Sequence, residues 1–235
     1  MYSPTEKTIS AGANCALIEA FEAHIKHKAF PCVGAKSALA RQQMQFLVVG
    51  DIRCPRDDRA IYQTLRDYAR AYHSHPGPFQ SFVVLFETAG TLSEAEFEAA
   101  MWSRIQPLEG LDAAGGEAYD PRVSADPGDA KFSLSFGGEA FFVVGLHPGA
   151  SRPARRFDCP AMVFNAHDQF ESLRDGDRYE TLRASILDRD AALAGDINPM
   201  LARHGEISEA RQYSGRAVGD DWQCPFRRVH GPGPG

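Results

Sequence analysis

The stretch Lys131-Phe132-Ser133-Leu134-Ser135-Phe136-Gly137-Gly138-Glu139-Ala140-Phe141-Phe142-Val143-Val144-Gly145-Leu146 decides the fold class. Two apolar runs, Lys131 to Phe136 and Ala140 to Leu146, are separated by Gly137-Gly138, the signal of a tight antiparallel hairpin. Upstream of it, strands and helices alternate. Gln45 to Asp51 carries Phe46-Leu47-Val48-Val49, and Phe79 to Glu87 carries Phe82-Val83-Val84-Leu85-Phe86; both suit buried strands. A helix is predicted over 11–28, with Leu17, Phe21 and Ile25 on one stripe, followed by a Phe30–Gly34 loop. A second opens at Asp57 or Asp58 and reaches about Ser74; a third is capped by Thr91 or Ser93 and ends near Pro107. Residues 109–129 read as a long loop. Ala161 to Asn165 reads as a fifth strand, followed by helices over Asp168–Asp175 and Arg178–Ala194, then by turns from Asn198 to Phe226. An alternating start with a hairpin in the middle predicts an α+β fold. We expect a single domain over 1–230, a mixed, roughly five-stranded sheet with helices packed against it, and a disordered Gly/Pro tail over 231–235.

The 235 residues carry a formal charge of -6, without the basic footprint of a nucleic-acid binder. No apolar run is long enough to span a membrane, and Met1 to Ser10 lacks the apolar core of a secretory signal. The five cysteines, Cys15, Cys32, Cys54, Cys159 and Cys224, form no CxxC pair and no CxxCH haem attachment; reduced thiols in a cytoplasm are the expectation. Lysine stops at Lys131, and twelve arginines follow Gly145. A GC-rich genome produces such a bias, and so does a need for guanidinium forks to bind carboxylates.

Dinucleotide, P-loop, zincin and α/β-hydrolase motifs are absent. The densest candidate is Gly145-Leu146-His147-Pro148-Gly149-Ala150-Ser151-Arg152-Pro153-Ala154-Arg155-Arg156-Phe157. His147 ends an apolar strand and can bind a metal, while Arg152, Arg155 and Arg156 suit the carboxylates of a bound ligand. A turn with a surface arginine cluster has the same spelling. His167, in Phe164-Asn165-Ala166-His167-Asp168-Gln169-Phe170-Glu171, either serves a site or shapes a helix-capping turn. His204 opens a polar stretch that wraps a site or forms a surface loop. His24 and His27 read as a solvated helix face. Cys32, between Phe30-Pro31 and Val33-Gly34, is an iron ligand, a nucleophile or a buried structural thiol.

Three groups of strings resemble the YqcI/YcgG family: Phe30-Pro31-Cys32-Val33-Gly34-Ala35-Lys36-Ser37-Ala38; the block from Gly145 to Arg174; and Asn198-Pro199-Met200-Leu201 through His204-Gly205, Ser208–Arg216 and Trp222-Gln223-Cys224-Pro225-Phe226. Ala166 departs from the family pattern, where proline stands between Asn165 and His167. The resemblance implies non-covalent haem b and an oxygenase that hydroxylates a nitrogen of a small guanidine- or amine-containing substrate. Its partners would be that substrate and an electron donor, with a homodimer compatible. On this reading His147 holds the iron, with Cys32 as the rival ligand. Arg152, Arg155 and Arg156 hold the propionates, and His167 or His204 supplies the distal polar group. Glu171, Glu206 and Glu209 are the carboxylates offered to a substrate cation. Two other functions fit the residues: a haem-binding or haem-sensing protein without turnover, and a haem-free enzyme with Cys32 as nucleophile.

Overall fold

The computed structural model describes residues 4–169, 178–196, 198, 200, 202 and 205–229. Its strands are β1 (Met44–Val49), β2 (Ser81–Phe86), β3 (Leu134–Phe136), β4 (Glu139–Leu146) and β5 (Ala161–Ala166). They form one mixed sheet in the order β1-β2-β5-β4-β3, in which β1 and β2 are parallel and every other pair antiparallel. The helices are α1 (Pro4–Lys26), α2 (Val33–Ala40), α3 (Asp58–Ser74), α4 (Glu94–Ala114), α5 (Arg178–Ala194) and the single turn α6 (Ala210–Tyr213). The α+β class and five-stranded sheet read from the sequence are the observed ones. The helix expected over Asp168–Asp175 lies, beyond Gln169, outside the described residues, as do His204, Glu171 and the Gly/Pro tail.

The turn that decides the fold class forms because Gly137 and Gly138 both take positive φ, 59° and 79°, the geometry of a two-residue turn matched to strand twist. Strand alternation then sends side chains to two faces. Phe141 and Val143 of β4 join a core built with Tyr68 of α3 and Phe97 and Met101 of α4. Val83, Leu85, Leu146 and Val163 point the other way, into a second core with Phe21 and Ile25 of α1. Phe142 and Val144 lie on that second face of an inner strand yet stay partly exposed, because a cavity lies over them.

Several element boundaries differ from the sequence reading: α1 spans Pro4–Lys26 rather than 11–28, and β3 begins at Leu134 rather than Lys131. Pro107 does not end α4; the helix runs seven residues further, to Ala114. Proline in a helix interior costs about 3 kcal/mol, but Leu108 and Ala113 beyond it are buried in the core, which offsets that penalty. The Phe30–Gly34 segment is a loop only as far as Cys32, which caps α2 as it starts at Val33. At eight residues, α2 is too short to display a period. Of the expected caps, Ser93 forms a capping box with Glu96. Asp57 instead accepts the Gly50 N–H, and Asp58 pairs with Arg104 of α4 at 2.7 Å. His24, expected on a solvated face, packs between the rings of Phe30 and Phe157.

Behind the hairpin turn, Asp112 of α4 accepts the Gly137 N–H at 2.9 Å. It is fully buried, and burial, helped by neighbouring Glu109, pushes its carboxyl up from 3.8 to about 6. A carboxyl with a raised folded pKa stabilises the fold while protonated; that contribution is lost as pH rises through about 6. Asp112→Asn keeps the acceptor for Gly137 and cannot ionise. The variant is expected to exceed wild-type stability by about 1–2 kcal/mol at pH 8, with no gain at pH 4. Urea unfolding at the two pH values checks this; an equal offset at both would refute it.

Candidate functional site

The cavity over the second sheet face has a volume of about 340 Å³ and is closed by α1, α2, α5 and the segments flanking α6. Its walls are mostly apolar: Phe21 and Ile25 from α1, Phe142 and Val144 from β4, Ile186 and Leu187 from α5. Into this wall the chain sets a thiol, an imidazole, two carboxylates and two guanidinium groups.

The thiol is Cys32, the residue that caps α2. Its Sγ accepts the Ala35 N–H at 3.4 Å. Burial pushes the thiol up, while the Ala35 and Gly34 amides and the Arg155 charge oppose the shift. The imidazole is His167, just past β5, whose Nε2 lies 3.3 Å from Glu209 Oε1. Glu209 is itself buried. The hydroxyls of Ser133 and Tyr213 lie 3.0 and 3.3 Å from its Oε2, and both also reach the Phe141 carbonyl. Burial, with the Glu209 charge, holds the Tyr213 phenol well above its ordinary range. A carboxylate with such donors is held in place and orients the ring it faces.

Arg155 ends the short turn Pro153–Arg155. Its guanidinium donates to three main-chain carbonyls: Gly145 and Tyr213 at 3.1 and 3.2 Å, and Gln212 at 3.1 Å. Burial lowers its pKa from 12.5 to about 10, so it stays cationic at neutral pH. No carboxylate lies within ion-pair distance of it among the described residues. Asp190, the second carboxylate of the wall, is held by Arg152 at 2.7 Å.

The residues nominated from sequence therefore separate. Cys32, Arg155 and His167 come together in one cavity. Arg152 faces Asp190 and Asp196 at 2.7 and 2.9 Å, and Arg156 donates to the Ala150 and Ser151 carbonyls. His147 does not line the cavity. It is 1 % exposed on the α4 side and stacked on Phe97 with centroids 4.3 Å apart. Burial lowers its pKa. Of the three carboxylates offered to a substrate cation, Glu209 reaches the cavity and Glu206 is exposed. Among the described residues, no group of three or more His, Cys, Asp or Glu is arranged to hold a metal ion.

Four cavity features escaped the sequence reading. Phe79 sits in the wall with a φ of 64°, unusual for a bulky residue, and the Gln169 side chain clamps the adjoining Gln80 backbone through both its N–H and its carbonyl. Ser81 donates to Asn165 at 2.8 Å across the strands. Arg183 lies on α5 in the stripe Arg183, Ile186, Leu187, Asp190, whose spacing of three, four and seven was legible as one helix face.

The family model for YqcI/YcgG matches residues 21–227, a span that contains every residue lining the cavity. The chain belongs to the YqcI/YcgG family. It is 26% identical over 209 residues to the uncharacterised protein YcgG of Bacillus subtilis (strain 168), covering 84% of this chain and 80% of that one. No solved structure matches. Within this YqcI/YcgG chain, the three cavity residues Cys32, Arg155 and His167 come from two of the string groups that resemble the family, and Gln212, whose carbonyl Arg155 binds, comes from the third. Among the described residues, no helix is long and apolar enough to cross a membrane.

Proposed function

We propose that the cavity binds haem b non-covalently and that the protein is a haem-dependent oxygenase hydroxylating a nitrogen of a small guanidine- or amine-containing substrate. One observation carries the reading. A mostly apolar cavity gathers, from sequence-distant segments, a thiol, a carboxylate-held imidazole and a buried cation. These are the groups a haem asks of its protein: one axial ligand, a polar group on the open side and a partner for a propionate. When bound, the haem supplies oxygen activation.

The cavity side chains divide that work. Cys32 is the better placed iron ligand: its sulfur lies in the cavity wall, where the α2 amides and the Arg155 charge oppose the burial that pushes the thiol up, and His147 stands outside the cavity. Arg155 remains charged and binds a propionate. His167, oriented by Glu209, holds and moves a proton on the cavity side. Glu209 is the carboxylate that a substrate guanidinium meets, and the apolar walls exclude water from the reacting nitrogen. Cytoplasmic placement and an electron donor complete the proposal.

The purified protein, reconstituted with haem, is expected to show a Soret band. Its ferrous–CO form should absorb at about 450 nm for a thiolate ligand, a band lost in Cys32→Ser; about 420 nm would move the iron to His167. No Soret band at all would overturn the reading. It would favour the cavity's second chemistry, in which Cys32 acts as nucleophile and the His167–Glu209 pair as base. Substrate-dependent oxygen consumption separates turnover from haem binding alone.

A further inference from the structure

We propose that Arg183 is an anion anchor inside the cavity: it binds a carboxylate of an otherwise apolar ligand, with Arg155 as the second guanidinium of the same wall. The inference rests on the haem reading for the identity of that ligand, and on α5 for its charge.

The stripe that α5 turns to the cavity begins at Arg183 and ends at Asp190, with Ile186 and Leu187 between. The two middle residues extend the apolar wall, and the acidic end is neutralised by Arg152 at 2.7 Å. The basic end has no counterpart. Arg183 is half-buried, and among the described residues it has no hydrogen-bond acceptor and no carboxylate partner. The arginines of the neighbouring turn all have acceptors: two aspartates for Arg152, three carbonyls for Arg155, two carbonyls for Arg156. Withdrawing a guanidinium from water without a partner is unfavourable, and a ligand that brings an anion removes the penalty.

The cavity's own acids do not fill that role. Asp190 is bound to Arg152, and Glu209 faces His167, Ser133 and Tyr213. Two guanidinium groups from different elements, in a wall with two carboxylates, suit singly charged anions better than a polyphosphate, which needs concentrated positive charge and a glycine-rich amide loop. The long apolar wall asks for an apolar body. The ligand class is thus an amphiphile with one or more carboxylates, and a carboxylated porphyrin and a fatty carboxylate both meet that description.

Titration of the full-length protein with metal-free protoporphyrin IX, followed by its fluorescence, tests the anchor without iron ligation. Wild type is expected to bind the free diacid about tenfold more tightly than its dimethyl ester. Arg183→Gln should lose about fivefold for the diacid, the remainder of the factor resting on Arg155, and nothing for the ester, and Arg183→Lys should recover part of the loss. Circular dichroism confirms that each variant is folded. A parallel arm measures displacement of a neutral environment-sensitive dye by palmitate. If palmitate binds in an Arg183-dependent manner and porphyrin does not, the anchor stands and the haem reading fails. If Arg183→Gln binds the diacid as wild type does, the side chain only reaches past the wall to solvent and the anchor is refuted, with the haem reading intact. Binding of neither probe overturns both.

Discussion

Arg155→Met is expected to destabilise the protein by about 2–4 kcal/mol, because three main-chain carbonyls in the protein interior lose a charged donor, the Gln212 carbonyl keeping only a long bond from the Gly215 N–H. Those carbonyls belong to Gly145, at the end of β4, and to Gln212 and Tyr213 of α6, so one guanidinium joins three segments. Methionine matches the stem and spares the cost of burying a charge, which works in the opposite direction. The carbonyls decide the sign, because they stay where β4 and α6 hold them. Arg155→Lys keeps a charge with three donors on a differently shaped head and should restore only part of the loss. Chemical denaturation of the three proteins measures this. Wild-type stability in Arg155→Met would mean that water from the cavity replaces the guanidinium at all three carbonyls.

A larger loss, about 3–5 kcal/mol, is expected for Arg104→Met, which strands the buried Asp58 carboxylate. The pair spans α3 and α4 at 2.7 Å on the sheet face away from the cavity. Burial raises the Asp58 pKa, and the Arg104 charge is what opposes that rise. Without Arg104 the folded pKa rises further. Stability is then retained at low pH, where Asp58 is protonated, and lost as pH rises through the new value. The loss in Arg104→Met should accordingly be greatest at neutral pH and shrink towards pH 4. The double variant Arg104→Met with Asp58→Leu removes both charges and should recover most of the stability. A single variant with an unchanged denaturation midpoint at pH 7 would show that solvent screens the pair.

Much of the fold was legible in the chain because local rules suffice for it. Gly137-Gly138 between two apolar runs can be little but a tight turn, and Ser93 with Glu96 spells a helix start. Arg178–Ala194 is the observed span of α5. Pro107 misled because the burial that carries α4 past it comes from partners distant in sequence.

The site divides the same way. The strings around Cys32, Arg155 and His167 mark the family and lie in the cavity wall, so the sequence alone determined which segments matter. Tertiary structure decided which side chains within them face the cavity. His147 directly follows Leu146, the last residue of β4, and successive side chains at the end of a strand leave opposite faces of a sheet. Both faces of β4 are apolar, Phe141 and Val143 on one, Phe142 and Val144 on the other, so no pattern along the strand tells which face is filled by helices and which is left open. The same holds for the arginines. Arg152 is taken up by Asp190 and Asp196, about forty residues away, while Arg155 stays in the wall and Arg183 joins it from a helix outside the arginine cluster. Spacing along a chain encodes which residues can share an element; the partner each charge meets is set by how the elements pack.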